Sequence, residues 1–89
     1  MPTVSFTSAL RRFLDAPPAE VAGSTVGEAL AAVFAERPVL RGYVLDDQGA
    51  IRRFVNVYVG NDDVRFLDAL DTKTPEDAQV SVIPAVAGG

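Results

Sequence analysis

Thr25-Val26-Gly27-Glu28 matches the T-x-x-E capping box, in which the threonine hydroxyl accepts from the N3 amide and the glutamate reaches back to the cap. The residues after this box have the spacing of a helix. Val26, Ala29, Leu30, Val33 and Phe34 recur at i, i+3, i+4, i+7 and i+8, while Glu28, Ala31, Ala35 and Glu36 fall off that stripe. The helix is expected to end before Pro38, because the residue preceding a proline is disfavoured in the α region. A single amphipathic helix cannot bury its own stripe, so the rest of the chain has to supply a second layer.

The rest reads mainly as strands. Thr3 to Thr7 alternates, with Val4 and Phe6 on one face. Ala9 to Leu14 places Leu10, Phe13 and Leu14 at helix-like spacing, in a run short enough to be a turn or a continued strand. Pro17-Pro18 then enforces extended backbone, and Ala19 to Ala22 returns as a second strand. Leu40 to Leu45 and Ile51 to Val59 flank Asp46-Asp47-Gln48-Gly49, a polar cluster that reads as a reversal between two strands. Within the second of these, Phe54 to Val59 puts Val55, Val57 and Val59 on a core side and Phe54, Asn56 and Tyr58 on the other. Gly60-Asn61-Asp62-Asp63 turns the chain, Val64 to Phe66 reads as a short strand, and Thr74-Pro75-Glu76-Asp77 as one helical turn. Gln79 to Ile83 is the final strand, stopped by Pro84, which lacks an N–H. With no repeating βα unit, this order predicts an α+β domain: a mixed sheet of four to five strands with one main helix on one face.

Composition excludes several functions. Eighty-nine residues allow one core and leave no room for a deep catalytic cleft. The chain has no cysteine and no histidine, so thiolate nucleophiles, imidazole bases and the usual zinc ligands are all missing. Asp46-Asp47 and Asp62-Asp63 lie among turn-forming residues without calcium-loop spacing, so they read as turn chemistry, not metal ligands. A net charge of −4, with one lysine and scattered arginines, disfavours nucleic acid. Neither a signal peptide nor a membrane-length apolar run is visible, so the expected location is cytoplasmic, away from the membrane.

Reactivity is therefore left to the terminus. After Pro84 come Ala85, Val86, Ala87, Gly88 and Gly89, with too little apolar area to hold them against a body. The expected organisation is a folded domain over residues 1–83 and a flexible tail over 84–89. Two glycines without Cβ atoms let backbone lie flat in a narrow channel with the carboxylate unshielded. The five steps from Pro84 to Gly89 reach roughly 16 Å.

Val80-Ser81-Val82-Ile83-Pro84-Ala85-Val86-Ala87-Gly88-Gly89 resembles the C-terminus of the ThiS/MoaD family of sulfur-carrier proteins, above all its cysteine-biosynthesis branch. Phe54 to Val59, the acidic turn and Val64-Arg65-Phe66 resemble the same family's central region. In the first half, only Ser24 to Leu30 is comparable. The resemblance implies a ubiquitin-like β-grasp fold, with first and last strands parallel at the centre of the sheet. It also implies a protein cosubstrate, not an enzyme. An E1-like adenylyltransferase/sulfurtransferase, using ATP and Mg, would adenylate the Gly89 carboxylate, and sulfur would displace AMP to leave a thiocarboxylate. The chain would bind no cofactor itself. Pro84, Ala85, Val86, Ala87 and Gly88 would thread into the activating enzyme, and the sulfur would pass to a synthase. A pyridoxal-phosphate-dependent cysteine synthase, a molybdopterin synthase or a thiazole-forming partner would each need the same tail. Strand parity places Gln79, Ser81 and Ile83 opposite the helix, with Phe54 and Tyr58 beside them. Ile83, Tyr58 and Phe54 are thus the expected docking patch. A ubiquitin-like modifier joined to lysines through Gly89 would start with the same adenylation, whereas a plain binding domain would leave the glycines inert.

Overall fold

The computed structural model describes residues 1–6 and 18–84. Its elements are β1 (Thr3–Phe6), β2 (Ala19–Glu20), α1 (Val26–Glu36), α2 (Val39–Val44), β3 (Val55–Val59), β4 (Asp62–Asp63) and β5 (Gln79–Pro84). Two 3₁₀ turns, Val64–Phe66 and Ala69–Asp71, lie between β4 and β5. The segment from Ala9 to Leu14 and the tail from Ala85 to Gly89 lie outside the described residues.

α1 starts and stops where its capping box and Pro38 place it. The Thr25 side chain accepts from the Glu28 amide at 3.2 Å, and Thr25 itself is extended. The Glu28 carboxylate reaches one residue further back than a simple box requires. It accepts from the Ser24 amide and the Ser24 hydroxyl, both at 3.0 Å. The Val26 amide donates to the Thr72 carbonyl at 2.9 Å, so the first helical amide is also satisfied. The whole expected stripe, Val26, Ala29, Leu30, Val33 and Phe34, is buried.

That stripe packs on a five-stranded sheet of order β2-β1-β5-β3-β4. β1 and β5 pair in parallel, from Thr3 opposite Gln79 to Phe6 opposite Val82, and the other pairings are antiparallel. Val4 and Phe6, Val80 and Val82, and Val55 and Val57 turn inward from the three middle strands. This is the mixed sheet with one covering helix, and the central parallel pair, that the β-grasp resemblance implies.

Three local expectations are corrected. Leu40 to Leu45 is not a strand: Val39–Val44 is the short helix α2, and only a single bridge joins Leu45 to Ile51. Pro38, at φ −59° and ψ −26°, already holds helical backbone, and Leu40 and Val44 then share one buried face at i, i+4 spacing. Ile51 to Phe54 accordingly precedes β3 instead of extending it. The Asp46 to Gly49 reversal does form: Asp46 Oδ1 accepts from the Gln48 and Ala50 amides at 2.9 and 3.0 Å, and Gly49 takes φ +84°.

The strand expected at Val64 to Phe66 is a 3₁₀ turn, and the residues that pair with β3 are Asp62 and Asp63. Asp63 accepts from the Arg65 amide at 2.9 Å, which bends the chain out of the sheet and leaves Phe66 87% exposed. Thr74 to Asp77 is likewise not a helical turn. A hydrogen bond from the Ala78 amide to the Pro75 carbonyl closes a simple turn there, at 3.0 Å.

Candidate functional site

β5 is held on both sides: by β1 in parallel and by β3 antiparallel. Pro84 is its last residue and sits opposite Val55, so the proline closes the strand from within, one position later than the expected stop at Ile83. A proline at the last rung costs the ladder little, because no further N–H is needed there.

Register then determines which side chains surround the end of β5. Asn56 lies opposite Ile83 and Tyr58 opposite Ser81, while their sequence neighbours Val57, Val80 and Val82 are buried under α1. Ile83, Ser81, Asn56 and Tyr58 therefore share the face of the sheet turned away from the helix. Ile83 is 38% exposed, and Tyr58 is half-buried. Phe54 stands one residue before β3, in a turn closed by the Val55 amide on the Arg52 carbonyl at 2.9 Å, and is 48% exposed. Of the three expected docking residues, the sheet brings Ile83 and Tyr58 onto one face by register. Phe54 precedes β3 and lies outside the register that aligns the other two.

One neighbour of this face has no signal in the local pattern. Arg65, on the 3₁₀ turn after β4, donates from Nη1 to Asn56 Oδ1 at 2.9 Å and from Nη2 to the Arg52 carbonyl at 2.6 Å. Arg52 in turn donates from Nε to the Gly42 carbonyl at 2.8 Å. These contacts bind α2, the approach to β3 and the turn after β4 into one rim around the start of β3. Finding them from sequence would require knowing that Val64 to Phe66 is a turn.

Among the described residues no cluster of three or more acidic side chains could hold a metal ion. Among the same residues, no helix is long and apolar enough to cross a membrane.

Comparison with known proteins agrees with this architecture. The sulfur carrier protein CysO of Mycobacterium tuberculosis is 36% identical over 69 residues, spanning 75% of this chain and 74% of CysO. Small archaeal modifier protein 3 of Haloferax volcanii is 38% identical over 66 residues, 74% of this chain and 71% of that protein. The crystal structure of the Amycolatopsis orientalis BexX/CysO complex contains a chain that matches with a TM-score of 0.86 at 31% identity, covering 100% of both chains. The ThiS family model matches residues 8–89, and with the parallel β1–β5 pair beneath a single main helix this chain belongs to the ThiS family of ubiquitin-like β-grasp sulfur carriers.

Proposed function

We propose that this chain is a sulfur carrier whose working group is the carboxylate of Gly89. The observation that carries the reading is the family match through residue 89 together with a central strand that ends at Pro84, five residues ahead of that glycine. Residues 84–89 act as the tail and the preceding domain as its handle. A carboxylate is a poor electrophile, and transfer of AMP from ATP converts it to a mixed anhydride with release of pyrophosphate. A sulfide-equivalent nucleophile then attacks the acyl carbon, the C–O bond to AMP breaks, and the thiocarboxylate remains. The chain lends only its terminus. ATP and Mg belong to an E1-like activating partner, and Pro84 to Gly88 thread into that partner's active site. Ile83, Tyr58 and Phe54 form the docking patch.

The thiocarboxylate is a soft nucleophile tethered to a recognisable domain, suited to delivery into a sulfur-accepting synthase. Similarity to CysO favours a pyridoxal-phosphate-dependent cysteine synthase as receiver. The existence of a BexX/CysO complex supports the idea that a carrier of this shape docks on a separate protein. A second reading rests on the 38% identity to a small archaeal modifier protein, in which the same adenylate is attacked by lysine amines of target proteins.

Intact-mass analysis after incubation with activating enzyme, ATP, Mg and a sulfur donor separates the readings. Carriage adds about 16 Da, the difference between sulfur and oxygen, whereas conjugation adds the mass of a target protein. One residue appended after Gly89 should abolish the 16 Da gain, because it displaces the carboxylate by about 3.5 Å and misplacement of about 1 Å can cost 10²-fold in rate. Normal sulfuration of the extended chain would overturn the proposal.

A further inference from the structure

The chain carries four excess negative charges, yet between Arg37 and Phe66 it has five arginines against four aspartates. Two of these arginines, Arg52 and Arg65, are anchored in an unusual way for so acidic a protein. Both spend their side-chain hydrogen bonds on neutral oxygens: Arg65 on Asn56 Oδ1 and the Arg52 carbonyl, Arg52 on the Gly42 carbonyl. Neutral acceptors fix a guanidinium in space without cancelling its charge. The nearby Asp63 carboxylate is engaged by the Arg65 backbone amide at 2.9 Å. A guanidinium has five N–H donors in a planar fork, so Arg65 keeps three without an acceptor among the described residues. Its anchor Asn56 is the cross-strand partner of Ile83, which places a held cation beside the exposed Ile83 near the end of β5.

We propose that Arg65, held by Asn56 and the Arg52 carbonyl, is the electrostatic half of the docking surface and recognises a carboxylate-bearing patch on the activating protein. The inference rests on the carrier reading and adds the chemistry of the partner to it: an apolar pocket for Ile83 flanked by acidic side chains. Anchoring before contact lowers the ordering cost of the charge pair, and a planar fork with free donors can take a carboxylate in bidentate fashion. Because the partner's carboxylates meet a cation at the rim, the pair acts mainly on encounter and is weakened by salt. Arg65 is therefore a recognition residue, and the chemistry at Gly89 proceeds without it once the complex has formed.

The test is steady-state sulfuration of the wild-type chain, Arg65→Gln and Arg65→Lys by an enzyme that sulfurates the wild type, at low and high ionic strength, with urea midpoints for all three chains. Arg65→Gln should raise KM for the chain by about tenfold at low salt with kcat unchanged, and the gap should close as salt rises. Arg65→Lys should recover most of the low-salt KM, because it keeps the charge and loses only the fork. An Arg65→Gln chain that is folded and sulfurated with wild-type KM and wild-type salt dependence would overturn the inference while leaving the carrier reading intact. So would a loss equal at low and high salt that Arg65→Lys fails to rescue, since that is the signature of a structural clamp. If no activating enzyme sulfurates the wild type, the carrier reading falls, and this inference with it.

Discussion

At single positions the clearest forces are hydrogen bonds to backbone amides. Thr25 contributes one acceptor to the start of α1, and Thr25→Ala should lower stability by about 1 kcal/mol without touching the chemistry proposed for Gly89. A urea midpoint identical to wild type would refute the capping role. Glu28 and Asp46 do similar work as anions. The Ser24 amide and hydroxyl hold the Glu28 carboxyl below its ordinary range, and the Ala50 and Gln48 amides do the same for Asp46. Each group titrates lower in the folded chain than in the unfolded one. Its contribution is therefore complete above the unfolded pKa and disappears as pH falls through the folded value. Urea midpoints should be flat near neutrality and decline below the usual carboxylate range of about 4. The double variant Glu28→Gln, Asp46→Asn should show a shallower acid decline. An unchanged acid slope would assign the effect to other carboxylates.

Elements show where local preference meets packing. Gly23 lies so close to the first turn of α1 that a Cβ there would stand 2.6 Å from the Ala29 amide nitrogen, which cannot give way as a flexible side chain would. The same loop is held from behind, with the Thr74 hydroxyl on the Gly23 carbonyl and the Thr74 amide on the Ser24 carbonyl, both at 3.0 Å. Gly23→Ala should therefore destabilise the fold by about 1–3 kcal/mol, read as a lower urea midpoint. A neutral result would mean the loop retreats freely. α2 illustrates the opposite lesson. Leu40 to Leu45 is a six-residue, largely apolar run that suits a strand by composition, and periodicity over so short a window does not discriminate. Leu40 and Val44 are both buried on one side of a helical turn, in a segment that starts from the helical backbone of Pro38.

For the assembled domain, the sheet separates two duties. Its inner face, with Val4, Val57, Val80 and Val82 under α1, holds the fold together, and its outer face carries Ile83 and Tyr58, the proposed docking residues. Ile83→Glu places a charge on the exposed side of a strand whose inner neighbour Val82 is unaltered. It should leave the circular dichroism and the urea midpoint close to wild type while weakening the complex with the activating enzyme by at least about tenfold, since a charge in a desolvated apolar pocket is costly. Wild-type affinity measured by calorimetry would remove Ile83 from the docking patch.

The parts legible from the sequence are those whose cause lies within a few residues. The Thr25 cap, the five-residue stripe of α1, the Asp46 to Gly49 reversal and the inward–outward parity of Val80 to Ile83 each follow from local sterics and hydrogen bonding, and the structure has all four. Other features depend on partners distant in the chain. Thr3 meets Gln79 in parallel, Arg65 crosses to Asn56, and Asp62 and Asp63 pair with β3 while Val64 turns away. No local pattern encodes these, because the energy of a ladder bond or a buried contact is realised only when both strands are in place. The chain therefore announced its helix and its last strand, and packing alone chose between helix and strand for Val39 to Val44 and set a held arginine on Asn56, the cross-strand partner of Ile83.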